Sequence, residues 1–220
     1  WTSKSELKFS KRGLFPLGGI SNITTILGNE SGNYPIIETD EHGFNNPKGL
    51  YEVNKVDIIL TGDSFTEGLS VHSDESIGAV LRELGFNAIS IGKASNGPLI
   101  ELAAVKEYVK PLKPKILLWL FYRGDLEDLI LEMKSSFLLK YLKDNEFSQN
   151  LISRQEEIDS LLVDYVEGER WIYNWKYKII RLWNLRKMVN LESWRLGQAP
   201  IAKAPLPIPK TIFKDIFFYC

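Results

Sequence analysis

The sequence predicts an α/β fold, and the prediction rests on the order of short apolar runs and amphipathic segments along the chain. Apolar runs of strand length lie at Val56–Leu60, Ala88–Ile91 and Lys115–Tyr122. Segments with helical spacing of apolar residues separate them, at Ser73–Leu84 and Pro98–Tyr108. An alternation of strand and helix is typical of a parallel sheet whose right-handed crossovers place helices on its faces. We therefore expect an open parallel sheet covered by helices.

Each strand assignment depends on the composition of the run and on the residues that end it. Val56–Leu60 leads into a Thr-Gly pair, which is the pattern of a buried strand that feeds a turn. Ala88–Ile91 likewise ends before a glycine. Lys115–Tyr122 is almost wholly apolar, as a central parallel strand covered on both faces should be. The third run is therefore predicted to lie inside the sheet.

The two intervening helices have recognisable starts. Ser73 or Asp74 can cap the first helix, because a short polar side chain accepts a hydrogen bond from an N–H of the first turn. Pro98 suits the first turn of the second helix, where its missing N–H would have no partner anyway.

The flanking parts of the chain differ from this alternating segment. Residues 1–52 are rich in Gly, Asn, Ser and Pro and show no long periodic segment, so they predict a loop-rich arm before a domain at 53–220. Three further helices are predicted at 125–142, 153–166 and 171–191, which together form a helical insertion over 125–197. The chain ends in an apolar run, so we expect it to be a fragment that lacks the last strands of the sheet.

Composition excludes several classes of protein. The net charge of -1 argues against a general nucleic-acid binder, which would carry a basic excess. Cys220 is the only cysteine, so no disulfide forms within the chain, and the compartment stays open. No apolar run reaches the length of about 18 residues that a transmembrane helix needs.

The strongest candidate for a catalytic residue is Ser64, in the segment Gly62-Asp63-Ser64-Phe65 directly after the first predicted strand. Open α/β folds bind ligands at the carboxyl edge of the sheet, and this serine lies there. The glycines at 62 and 68 permit a tight turn, and the N–H groups that begin the next helix can face developing negative charge. A nucleophilic serine needs such donors and a base within hydrogen-bond reach. The alternative is a turn serine that caps a helix.

The Gly-Asp-Ser segment resembles the first sequence block of SGNH (GDSL-type) serine hydrolases. The preceding stretch Ser31–Pro47, which contains Asp40–Pro47, resembles the arm found before this block in some bacterial members. The resemblance implies a three-layer, flavodoxin-like sandwich in which the serine attacks an ester carbonyl. It also implies an oxyanion hole made of the serine N–H, a glycine N–H of the second block and an asparagine side chain of the third. An Asp-x-x-His near the carboxyl end would supply the base.

The remaining family blocks match this sequence less well. Ser95 stands where the family glycine is expected, with Gly97 two residues later, and both are candidates for the oxyanion hole or for substrate binding. Gly124 stands where the family asparagine is expected, which removes one donor that Arg123 would have to replace. For Asp63 we favour a role in holding the turn and positioning the nucleophile.

The general base is the largest gap in the resemblance. The two histidines, His42 and His72, do not lie in an Asp-x-x-His, and we expect that motif to lie beyond Cys220. His42 is a candidate for a substitute base contributed by the arm, but we favour a loop residue, and we interpret His72 as a surface or rim residue. Their separation and the absence of nearby cysteines give no metal-site spacing, so no metal or cofactor is expected.

Two basic segments invite other interpretations. Residues 170–191 contain basic residues interleaved with tryptophans, so this helix can contact an anionic membrane surface, although packing on the domain is the favoured interpretation. Lys106, Lys110, Lys113 and Lys115 are interpreted as a solvated connection.

The sequence thus leads to three hypotheses about function. The first is an esterase that forms an acyl-enzyme on Ser64, with a small-molecule or glycan ester as substrate and O-acyl transfer as a close variant. The second is a catalytically degenerate binding module with the same fold. The third, a nucleotide binder, is weaker because residues 62–68 contain no phosphate-binding glycine motif.

Overall fold

The structure is a computed structural model that describes residues 13–27 and 34–180. Its first two strands, β1 (Thr24–Ile26) and β2 (Ile36–Glu38), pair antiparallel within the amino-terminal arm. The sequence predicted only loops in the arm. Strands of three residues are too short to show the alternation by which a strand is recognised in a sequence, so this pair was missed.

A three-stranded parallel sheet forms the centre of the fold. Its strands are β3 (Ile58–Thr61), β4 (Ala88–Ser90) and β5 (Ile116–Trp119), in the order β4-β3-β5. All residues of β3 and β4 are buried. The mixed α/β prediction is therefore confirmed.

The position of β5 differs from the prediction. Its apolar run predicted a central strand, but β5 lies at the edge of the described sheet and pairs with β3 alone. Ile116 and Leu118 on β5 are 48% and 39% exposed. The central position belongs to β3, whose two neighbours cover its hydrogen-bonding groups on both sides.

The helices between the strands follow the predicted order. They are α1 (Ser64–Glu67), α2 (Ile77–Glu83) and α3 (Pro98–Ala104), and α3 continues through a π-helical turn at Val105–Val109 into α4 (Lys110–Leu112).

The cap of α2 differs from the two that we predicted. The Ser76 hydroxyl accepts a hydrogen bond from the Ala79 N–H at 3.2 Å. Ser73 and Asp74 instead lie in a preceding 3₁₀ turn that ends at Glu75. The true cap is one turn later in the sequence because this 3₁₀ turn precedes the α-helix.

After β5 the chain is helical, as expected, but with different boundaries. The helices are α5 (Asp125–Glu132), α6 (Leu138–Lys143) and α7 (Gln155–Ile180). The single helix predicted at 125–142 is interrupted because Ser135 Oγ accepts from the Leu138 N–H at 3.0 Å and so starts a new helix. The helices predicted at 153–166 and 171–191 form one helix as far as Ile180, since the glycine at 168 costs helix stability without breaking it.

Residues 13–27 and 34–159 belong to one compact unit, whereas the rest of α7 belongs to a second. The side chains of the predicted membrane-contact helix at 170–191 lie outside the described residues. Within the described part, no helix combines the length and apolar character needed to cross a membrane. The predicted boundary between arm and domain stays a prediction.

The arm is joined to the sheet through Asn46. Its Oδ1 accepts from the Ser90 N–H at 2.8 Å, and its Nδ2 donates to the Ser90 carbonyl at 2.9 Å. One side-chain amide therefore satisfies both backbone groups of Ser90 at the edge of β4. Asn46 Nδ2 also donates to the buried carboxylate of Asp40 at 2.7 Å, and Asp40 accepts from the His42 and Phe44 N–H groups of the arm.

Asn46→Ala should lower the free energy of unfolding by about 2–4 kcal/mol, because it leaves the N–H and the carbonyl of Ser90 without their side-chain partner and removes one donor from the buried Asp40 carboxylate. Lys48→Ala, an exposed change two residues away, should alter it by less than about 0.5 kcal/mol. Chemical denaturation followed by circular dichroism measures both. Equal effects of the two substitutions would contradict this role of Asn46.

Candidate functional site

Ser64 is the first residue of α1, and two residues, Gly62 and Asp63, separate it from the carboxyl end of the central strand β3. The tight turn between them depends on Gly62. A Cβ at Gly62 would lie 2.2 Å from Thr66 Oγ1 and 2.8 Å from the Leu120 carbonyl oxygen, so no larger residue fits there. The sheet edge and the glycine together bring Ser64 to the position that the sequence predicted.

Asp63 holds the start of α1. Its Oδ1 accepts from the Phe65 N–H at 2.9 Å, and its carbonyl oxygen accepts from the Glu67 N–H at 3.0 Å. The half-buried Ser64 makes no hydrogen bond through its hydroxyl or its N–H to any residue in the described part of the chain. Both groups are therefore available to a ligand at this edge of the sheet.

Glu67 fastens the loop after β4 to α1. Its carboxylate is buried, with Oε1 at 2.8 Å from Lys93 Nζ and Oε2 accepting from the Ala94 N–H at 2.7 Å. Gly92 packs so closely on the helix that a Cβ there would lie 2.5 Å from Thr66 Cβ. The loop at 92–97 is thus held next to the turn that carries Ser64.

Ser95 lies within this fastened loop and has a φ of 66°. This left-handed conformation is free of strain for glycine and unfavourable for most other residues. Ser95, which stands where the family glycine is expected, therefore has a backbone conformation that glycine adopts more easily than serine. The neighbouring Asn96 is buried, and its Nδ2 has no hydrogen-bond partner among the described residues.

The Gly97 N–H is already hydrogen-bonded to a carboxylate on α5. It donates to Glu132 Oε1 at 2.7 Å, and Glu132 Oε2 accepts from the Leu99 N–H at 2.8 Å. A Cβ at Gly97 would lie 2.7 Å from Asp128 Cβ, so the glycine allows α5 to pack against the start of α3. An N–H already bonded to a carboxylate does not serve as an oxyanion donor.

Gly124 lies just before α5 and contributes no side chain to the sheet edge. Its φ of -65° is an ordinary helical value. The loop after β5 is fixed instead by Asp125, whose buried carboxylate accepts from the Tyr122 N–H at 2.6 Å. Arg123, the suggested replacement donor, is exposed.

Sequence reasoning missed a buried carboxyl group near this edge, that of Glu101 on α3. Glu101 Oε2 accepts from Trp119 Nε1 at 2.6 Å, whereas Oε1 has no partner in the described chain. Burial, with a smaller contribution from the nearby carboxylates of Asp125 and Glu132, raises the pKa of Glu101 to about 8. Glu101 is therefore protonated at neutral pH. Nothing in its sequence context distinguishes it from a surface residue of a helix.

Other acidic residues lie nearby. Burial raises the pKa of Glu132 to about 7 and raises that of Asp125 as well. Even so, no group of three or more His, Cys, Asp or Glu residues in the described ranges is arranged to hold a metal ion.

Neither histidine forms a hydrogen bond with Ser64 in the described chain. His42 is buried in the arm, where its ring packs edge-on against Tyr51 at a centroid distance of 4.6 Å and its Nδ1 lies 3.4 Å from Gln155 Oε1. His72 is exposed and precedes a 3₁₀ turn, with its N–H donating to the Glu75 carboxylate at 3.2 Å. Within the described chain, no histidine is within hydrogen-bond distance of the Ser64 hydroxyl.

A cleft of about 590 Å³ lies between the arm and α2. Asn45, Asn46 and Arg82 are among the residues that line it, but Ser64 and Ser95 are not. Although this cleft is large enough for a ligand, it is separate from the candidate nucleophile.

Comparison with known proteins adds no identification. A scan against models of protein families found no match, and a search of curated proteins found no relative.

Glu67→Gln should lower the free energy of unfolding by about 1–3 kcal/mol, because the ion pair with Lys93 and one charged acceptor are lost from a buried site. Glu83→Gln, an exposed change on α2, is the matched control. A double-mutant cycle with Lys93→Gln, measured by chemical denaturation, should give a coupling free energy of at least about 0.5 kcal/mol. Full additivity would show that Glu67 does not fasten the loop through Lys93.

Glu101→Gln should change how stability depends on pH. The pKa of Glu101 is about 8 in the folded chain against a usual value of 4.5, so its proton favours folding below pH 4.5, and that contribution is lost as the pH rises to 8. The uncharged amide has no proton to lose, so the variant should exceed the wild type in stability by a few kcal/mol above pH 8.

Denaturation curves from pH 5 to pH 9 for the wild type, Glu101→Gln and the exposed control Glu83→Gln provide the measurement. If the wild type and Glu101→Gln run parallel across this range, Glu101 is not protonated at neutral pH in the folded chain.

Proposed function

We propose that this chain carries the nucleophile of an SGNH-type serine hydrolase, which cleaves carboxylic esters through an acyl-enzyme on Ser64. The same proposal includes the three-layer, flavodoxin-like sandwich as the complete fold. The observation that carries it is the placement of Ser64. The serine begins a helix directly after the central parallel strand, and its hydroxyl and N–H make no hydrogen bonds within the described chain.

In the proposed reaction Ser64 Oγ attacks the ester carbonyl while its proton passes to a base, and negative charge develops on the carbonyl oxygen. The C–O bond to the alcohol then breaks, the alcohol leaves with that proton, and water hydrolyses the acyl-enzyme to release the acid and restore Ser64. The Ser64 N–H is one donor to that oxygen, and the Ser95 N–H in the adjacent fastened loop is the second. Gly97 is left out because its N–H is bonded to Glu132. Gly124 offers no side chain, and the loss of one such donor costs about 3 kcal/mol of transition-state stabilisation.

The general base is the missing part of this mechanism. His42 is surrounded by Tyr51, Tyr108 and Gln155, and His72 lies on an exposed turn. The proposal therefore requires a base that the two histidines of these 220 residues do not supply. Small acyl groups on a carbohydrate are the esters to test first, and transfer of the acyl group to a second sugar is the close variant.

A catalytically inactive binding module is the second candidate, and two observations favour it. The Gly97 N–H is occupied by a carboxylate, and neither histidine contacts Ser64. Such a module would bind an acylated glycan at the same edge of the sheet without cleaving it.

A fluorophosphonate probe should label the full-length protein on Ser64, because an activated serine attacks the phosphorus centre as it attacks an ester carbonyl. Mass spectrometry of the labelled peptide identifies the residue. Ser64→Ala should abolish labelling, whereas Ser73→Ala, on an exposed turn, should leave it unchanged.

If folded protein is not labelled, or if Ser64→Ala is labelled equally, the esterase proposal fails. Saturable binding of an acetylated oligosaccharide without release of acetate would then support the binding module.

A further inference from the structure

A second cavity, of about 540 Å³, lies away from Ser64. It is bordered by the π-helical turn after α3 and by the amino end of β5, at Lys113, Pro114 and Leu117. Because β3 and β5 are parallel, the amino end of β5 and the turn that carries Ser64 lie at opposite edges of the sheet. This cavity is therefore separate from the proposed ester-cleaving site.

The interior of the cavity is apolar. Its apolar lining residues are Leu102, Val105, Val109, Pro114 and Leu117. Val105 and Val109 are the first and last residues of the π-helical turn, in which the Lys110 N–H bonds to the Val105 carbonyl. Such turns widen a helix locally and occur often at functional sites. A volume of this size is typical of cavities that enclose small organic ligands.

The polar part of the lining is predominantly basic. Lys106, Lys110 and Lys113 line the cavity together with a single carboxylate, that of Glu146. Lys110 Nζ lies 3.6 Å from that carboxylate. The lining thus has a surplus of positive charge, although the whole chain has a net charge of -1.

Lys106 contributes part of this positive charge from a buried position. Its amine is buried and donates to the carbonyl oxygens of Tyr141 at 2.6 Å and Asp144 at 2.9 Å. Burial lowers the pKa of Lys106, and the charge of Lys110 lowers it further. Two neighbouring ammonium groups that destabilise each other beside an apolar cavity would be stabilised by an anion.

We propose that this cavity binds one medium-chain fatty carboxylate, with its alkyl chain against Leu102, Val109 and Leu117 and its carboxylate between Lys110 and Lys113. The apolar wall accounts for the chain, and the basic rim accounts for the sign of the head group. Two of the four lysines that the sequence analysis interpreted as a solvated connection, Lys110 and Lys113, form in this proposal the charged rim of a binding site.

Isothermal titration calorimetry of the full chain with sodium dodecanoate, below its micelle concentration and at low salt, tests the proposal. We expect saturable binding of one molecule per chain. Dodecyltrimethylammonium has the same alkyl chain with the opposite charge, and butanoate has the same head group with a short chain, so both should bind at least about tenfold more weakly. Equal binding of either probe would overturn the proposal.

Lys110→Gln/Lys113→Gln should weaken dodecanoate binding by about tenfold or more, because both lysines are exposed and the change removes the charged rim. The matched control is Lys134→Gln/Lys143→Gln, which removes the same charge from exposed positions that do not line the cavity. Val105→Phe fills the cavity and should abolish binding. If the rim and control variants bind alike, or if wild-type binding is not saturable, the proposal is wrong.

Discussion

The carboxylate of Glu67 is the contact on which the geometry of the candidate site depends. Residues 92–97 form no helix or strand, so their position relative to Ser64 comes from individual contacts, one of which is the backbone hydrogen bond from the Lys93 N–H to the Gly62 carbonyl at 3.3 Å. Glu67 supplies two of these, an ion pair with Lys93 and a hydrogen bond from the Ala94 N–H. Because the carboxylate is buried, leaving either partner unpaired would cost more than at the surface. The turn after β3 and the loop after β4 are thereby held as one structure.

The amino-terminal arm extends this arrangement. Asn45 Nδ2 donates to the Glu67 carbonyl at 2.9 Å, and the neighbouring Asn46 pairs with the backbone of Ser90. Asp40 in turn organises the arm around a buried carboxylate with backbone and side-chain donors. The arm is therefore part of the same compact unit as the sheet, and consecutive asparagines position the ends of both α1 and β4.

Two carboxyl groups near the site, those of Glu101 and Glu132, do not fit efficient ester hydrolysis. Glu101 remains protonated at neutral pH because burial disfavours its charge, and Glu132 occupies the N–H of Gly97. Both groups stabilise the packing of α3 against its neighbours, through Trp119 and through the first turn of α3. The edge of the sheet is thus firmly built, while the donors and the base that an ester hydrolase needs are only partly present among the described residues.

Local patterns in the sequence determined the order of strands and helices along the chain and the placement of Ser64 after the first strand of the parallel sheet. A buried strand appears in the sequence as an apolar run, and the capping Asp63 bonds to the N–H of Phe65 two positions later, so both leave a local pattern in the sequence. Only the tertiary structure decided that β5 lies at the edge, that Gly97 bonds to Glu132, and that Glu101 keeps its proton. The position of β5 depends on the order of the strands in the sheet. The Gly97 bond and the protonation of Glu101 depend on burial and on partners about 20 to 35 residues away. None of these leaves a periodic signal in the sequence.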